Sequence, residues 1–171
     1  MNWKRVNQGE IKESLIDYVE KLIEVESEKG MTLKVCIGSD SQKRGPGYNY
    51  VTAIVIERKE CIGTDRFGKK EFLGRGAMVI SGSMYEKFIP SLNERMLKEV
   101  QSTVTVAYEL LPLLDLYDIK LELHADINQS EKHGSNVALK SAMGYMSGIP
   151  CDIKVKPSAY AASTVADKLC Q

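Results

Sequence analysis

The sequence predicts an α/β domain on a five-stranded mixed sheet, with helices on both faces and an extra helix at the N-terminus. Three observations carry this. Apolar, β-branched runs follow one another between about residues 32 and 80, separated by short turn signals, as in an antiparallel meander. From residue 85 the apolar period lengthens to three and four, and helical and extended segments then alternate to the end. The 171 residues, 43% hydrophobic and 27% charged, suit one globular domain with a full core, so 1–171 is read as a single domain with 1–30 as a helical extension.

The elements follow in order. Ile11, Leu15, Tyr18, Leu22 and Ile23 recur at helical spacing over 9–28, and Gly30 suits the helix end. The nearly continuous apolar run 32–39 reads as a strand covered on both faces. Gly45-Pro46-Gly47 marks a turn, 49–58 a second strand, Thr64-Asp65-Arg66-Phe67-Gly68 another turn, and 70–80 a third strand ending in Ser81-Gly82-Ser83. Met96, Leu97, Val100, Val104, Ala107, Tyr108 and Leu111 place a long helix over 85–111, stopped near Pro112. A strand at 119–125, a helix at 133–147, a strand at 151–155 and a small-residue helix at 159–170 complete the order α-βββ-α-β-α-β-α.

Composition excludes several classes. Lys plus Arg and Asp plus Glu number 23 each, so no global charge steers the chain toward nucleic acid, and any phosphate-binding surface is a local patch. No apolar run approaches the ~20 residues that span a bilayer. The start, Met1 to Asn7, lacks the apolar stretch of a signal peptide, so the expected location is cytoplasmic. Cys36, Cys61, Cys151 and Cys170 are scattered without a C-x-x-C pair, which reads as four thiols rather than a zinc site.

The chemistry is carried by acids at element ends. Asp40 closes the apolar strand in Ile37-Gly38-Ser39-Asp40-Ser41-Gln42, and Asp126 follows the strand ending His124-Ala125. Asp167 lies on the last helix, whose Ala159, Ala161, Ala162, Ser163 and Ala166 suit close packing on the sheet. Strand-end carboxylates joined by one from a late helix suit a divalent-cation site of the kind that hydrolyses phosphodiesters. Each acid also has a plainer reading: Asp40 as a turn cap, Asp126 as an Asx-turn residue, Asp167 as a solvated helix charge. On the long helix, Glu99 lies closer to the apolar stripe than Glu94, while Glu109 sits near the far end. His124 shares a strand face with Asp126, as a supporting group, a proton carrier or a core histidine. His133 falls in a polar loop, and Asn128, Ser41 and Gln42 are suited to orienting substrate or water. Lys154 and Lys156 share a face leading to the last helix and suit phosphate contact.

After its first helix, this order resembles the ribonuclease H-like fold. That superfamily places an aspartate in the first strand, a glutamate in the first long helix, an aspartate after the fourth strand and an aspartate in the last helix. Asp40, Glu99, Asp126 and Asp167 match those positions. The three phrases 37–42, 124–128 and 159–167 are similar to a bacterial branch, the YkuK proteins. The resemblance covers about residues 31–171 and implies four metal ligands, Mg²⁺ or Mn²⁺ as cofactor, and a nucleic-acid substrate, RNA or an RNA/DNA hybrid. The chain lacks the basic, aromatic-rich protrusion of some members, and the turn after Asp40 reads Ser-Gln where classical members carry glycine. Two other classes compete: a non-catalytic nucleic-acid-binding or interaction module on the same fold, and an actin-like ATP-binding domain, for which the glycine-rich phosphate loops are missing.

Overall fold

The computed structural model describes residues 1–127 and 139–170. Its elements run β1 (Asn2–Arg5), β2 (Gly9–Glu10), α1 (Leu15–Glu28), β3 (Met31–Arg44), β4 (Gly47–Thr64), β5 (Lys70–Glu86), α2 (Leu92–Leu116), β6 (Lys120–Ala125), α3 (Leu139–Met146) and β7 (Asp152–Val155). A π-helical segment, Ala161–Ala166, then runs into a final α-helical turn, α4 (Asp167–Cys170).

The strands form one mixed sheet in the order β2-β1-β5-β4-β3-β6-β7. The meander pairs antiparallel from β1 through β5 and β4 to β3, while β6 and β7 add to β3 in parallel. Alternation along β3 sets the layers. Leu33, Val35 and Ile37 join the main core with α1, α2 and Leu121 and Leu123 of β6. Cys36 faces the other way, into a small cluster with Val55 and Ala161 beneath the terminal helix. Gly45, at φ +55°, makes the β3–β4 connection with Pro46, and Arg44 pairs with Gly47.

The sheet has seven strands, not the five expected. The extra two lie at its N-terminal edge, where β1 pairs with residues 80–83 of β5 and the Trp3 ring covers Gly82. A Cβ there would stand 2.8 Å from the indole, so only glycine admits the contact. Strands of four and two residues are too short to leave a period in the sequence. The helix expected over 9–28 starts only at Leu15, where the Ser14 hydroxyl accepts from the Asp17 N–H at 3.1 Å.

The long helix is also displaced from 85–111. β5 continues to Glu86 because its residues pair with β4 as far as Tyr48. A capping box of Ser91 and Glu94 then starts α2, which runs through Pro112 to Leu116. Leu110, Leu113 and Leu114 are buried, and their packing outweighs the one backbone bond that proline removes. Of the helix expected at 133–147, residues 133–138 lie outside the described residues.

β4 and β5 extend well beyond the body. Met31, at the start of β3, already pairs with Glu60, and the two strands continue to a turn where Asp65 Oδ1 accepts from the N–H groups of Phe67 and Lys69. This exposed arm carries Arg66, Phe67, Lys69, Lys70 and Phe72, with the Arg66 guanidinium 4.7 Å from the Phe67 ring centre. An aromatic protrusion of mixed charge therefore exists, with Glu60, Asp65 and Glu71 among its cations, at the sheet end opposite Asp40. No helix among the described residues is long and apolar enough to cross a membrane.

Candidate acidic site

Two parallel strands bring the first acids together. β3 and β6 pair with Ser39 opposite Ala125, so Asp40 and Asp126 each follow that pair on neighbouring strands. β3 does not close at Asp40 as expected but runs on to Arg44, because its residues stay paired with β4, while Asp126 lies just past the end of β6. Glu99 comes from the buried face of α2, 6% exposed, where the Ser41 hydroxyl donates to its Oε1 at 2.5 Å. Ser39 Oγ lies 2.8 Å from Thr52 Oγ1 and 2.9 Å from Thr103 Oγ1, and Thr103 also meets the Glu99 carbonyl at 3.1 Å. This buried hydroxyl chain fixes α2, and with it Glu99, against the sheet.

Asp167 heads α4, and several contacts dock that helix. A Cβ on Gly38 would stand 2.6 Å from Ala162 N, so the helix backbone lies directly on β3. His124 Nδ1 accepts the Ala161 N–H at 3.0 Å, and the Tyr160 ring meets the imidazole edge-on at 4.9 Å. The Cys170 thiol donates to the Asp40 carbonyl at 3.3 Å, and Arg44 Nη2 donates to the Cys170 carbonyl at 3.2 Å. The small residues of the last helix thus serve a close approach to the strand that carries Asp40.

The four carboxylates act on one another. Burial, then the charges of Asp126 and Asp167, push the Asp40 carboxyl up to about 6, against the Ser41 backbone N–H and Arg95. Burial, with Asp40 and Asp126 behind it, pushes Glu99 up to about 8, although the Ser41 hydroxyl and Arg95 oppose this. Arg95 Nε stands 3.8 Å from Glu99 Oε1, and Lys156 Nζ stands 2.8 Å from Asp126 Oδ1.

This has a consequence for stability. With a folded value of about 8 against an ordinary 4.5, Glu99 holds a proton that the unfolded chain has released. Stability from this group is present at low pH and is lost as pH rises through 8. His124, held neutral by burial, acts in the opposite sense, but only around and below its ordinary 6.5. In EDTA the melting temperature should therefore fall from pH 7 to pH 8, and Glu99→Gln should flatten that slope. Calorimetry reads both, and a wild-type slope equal to that of the variant would contradict the burial of an ionisable Glu99.

The Ribonuclease H-like family model matches residues 15–171. The chain belongs to the ribonuclease H-like family. No curated protein and no solved structure was found to match it. The matched region of this ribonuclease H-like chain takes in α1, so only β1 and β2 stand before it.

The remaining residues singled out in the sequence fall as follows. Glu94 closes the capping box, its carboxylate accepting from the Ser91 N–H at 2.8 Å, and so faces the helix end rather than the other acids. Glu109 and Gln42 are exposed. Lys98, one turn along α2 from Glu94, pairs with Glu86. His124 is 1% exposed and engaged with the terminal helix, a support for that helix rather than a proton carrier in solvent reach. Asn128 and His133 lie outside the described residues.

The ribonuclease H-like chain also gathers a group that sequence spacing did not reveal. Ligand-type atoms of Cys36, Glu122 and His124 lie within 4.8 Å of one another, a possible soft-metal site by proximity. The hydrogen bonds do not suit one. Because His124 Nδ1 accepts from a backbone N–H, the ring proton sits on Nε2, the nitrogen 3.5 Å from Glu122. Lys34 already neutralises Glu122 at 3.0 Å and Glu57 at 3.1 Å, and the Tyr160 hydroxyl bonds Glu57 at 2.5 Å. Burial pushes the Cys36 thiol up to about 11, away from the thiolate that a metal prefers. The group is a closed polar network joining β3, β4, β6 and the terminal helix. Its members are 86 or more residues apart from β3 to β6, so no local motif announces it.

Proposed function

We propose that this chain is a metal-dependent nuclease of a YkuK-like branch, hydrolysing phosphodiester bonds of RNA or of the RNA strand of a hybrid. The observation that carries this is the electrostatic coupling of Asp40 to Asp126 and Asp167, and of Glu99 to Asp40 and Asp126, which with burial pushes Asp40 and Glu99 toward protonation. Such a cluster is electrostatically unfavourable alone and becomes favourable around divalent cations. The donors are all carboxylate oxygens on rigid elements, which suits the hard ions Mg²⁺ and Mn²⁺. Bound there, a pair of such ions would lower the pKa of an attacking water and stabilise charge on the leaving oxygen.

The chain's own residues have separate tasks in this reading. Asp40 and Asp126 are the central ligands, since each follows the Ser39–Ala125 pair on adjacent parallel strands. Glu99, oriented by Ser41, closes the site from the α2 side, and Asp167 closes it from the terminal helix. The family match supports a nucleic-acid-related role, and the substrate class rests on that kinship.

The test uses purified protein with Mn²⁺ or EDTA on RNA, DNA and hybrid substrates. Cleavage of RNA or hybrid with 5′-phosphate products, together with a Mn²⁺-induced rise in melting temperature, is the expected result. Binding of Mn²⁺ without cleavage of any substrate would favour a module that binds nucleic acid without cutting it. No thermal response to millimolar Mn²⁺ would remove the metal site.

A further inference from the structure

Asp126 does not stand alone at its strand end. Lys156 Nζ lies 2.8 Å from its Oδ1, a contact across from the segment after β7. The backbone explains why this lysine is there. The Lys156 N–H donates to the Ile127 carbonyl at 3.2 Å, which ties the residue beside Asp126 whatever the side chain does. The side chain itself is 42% exposed, on a flexible stem that can swing to solvent. Arg95, by contrast, stands 3.8 Å from Glu99 and has its guanidinium 5.7 Å from the Tyr48 ring centre, so it is held by a second contact.

We propose that Lys156 is a tethered cation that holds the Asp126 carboxylate in the metal-free protein and competes with the divalent ion for it. The inference rests on the metal-binding reading of the four acids. An ammonium on a carboxylate oxygen and a divalent ion on the same carboxylate repel each other at a few ångströms, and neutralising the carboxylate weakens its pull on the ion. The ion therefore binds only as Lys156 withdraws. The lysine lowers apparent affinity for the metal and relieves repulsion in its absence.

The experiment measures Mn²⁺ affinity without nucleic acid, by calorimetry, for wild type, Lys156→Gln, Lys156→Met and Lys156→Arg. Removing the charge should tighten Mn²⁺ binding about tenfold in both neutral variants. Lys156→Arg should stay within about threefold of wild type, because it keeps the charge. Two neutral variants guard against one that fails to fold. If wild type binds Mn²⁺ and the neutral variants bind it equally or more weakly, the inference falls while the metal site stands. The inference also falls if Lys156→Arg tightens binding as much as Lys156→Gln, since charge would not be the cause. If neither wild type nor the neutral variants bind Mn²⁺, the metal-binding reading itself fails.

Discussion

Asp40→Asn protein should lose metal-dependent cleavage by about three orders of magnitude, the size of effect that several kcal/mol of lost charge stabilisation produces. Asp40 is coupled electrostatically to each of the other three acids. Its carboxyl is pushed up to about 6 by burial and by Asp126 and Asp167, so the amide removes the group that interacts with both. The same substitution should stabilise the metal-free protein by about 1 kcal/mol above pH 6, because it deletes a buried charge whose neighbours repel it. Opposite signs for activity and stability separate this outcome from simple unfolding. Assays on wild type, Asp40→Asn and Asp126→Asn from parallel preparations, with chemical denaturation in EDTA, give both quantities. Equal cleavage by all three would identify a contaminating nuclease and sink the assignment.

Gly38→Ala should disrupt the docking of the terminal helix on the sheet. The new methyl would stand 2.6 Å from Ala162 N and 2.9 Å from Ala162 Cβ. A backbone atom cannot turn aside as a side chain can, so the terminal helix must move. Overpacking of this kind costs about 2 kcal/mol, or about 4–8 °C for a domain of this size. Asp167 travels with the helix, so the Mn²⁺-induced rise in melting temperature should shrink as well. A variant within about 0.5 kcal/mol of wild type, with its metal response intact, would mean that the helix does not dock on Gly38.

The main layers of the fold could be read from the chain because each carries a period. The apolar run before Asp40, the meander turns at Gly45 and Asp65, and the change of period in α2 all reflect local physics. What escaped reading was non-local. β1 depends on one tryptophan seated over Gly82, which no window of sequence contains. The different surroundings of Glu94 and Glu99 show only in the structure, where Ser91 bonds one and Ser41 the other. Helical spacing favoured Glu99, but the capping box gave the reason. Similarly, Lys156 was legible as a basic residue on a strand face, and its carboxylate partner was not. The roles of the four acids as ligands rest on the proposal and its tests.

The docking of the terminal helix bears on how the protein is made. Asp40 and Asp167 are brought together by bonds from Cys170 to the Asp40 carbonyl and from Arg44 to the Cys170 carbonyl, which join residues 130 and 126 positions apart. A chain emerging from the ribosome only as far as β7 therefore carries three of the acids and lacks the fourth, together with the helix that closes the site. On the proposed reading, hydrolytic capacity arrives only once the segment beyond β7 has been synthesised and has docked on β3.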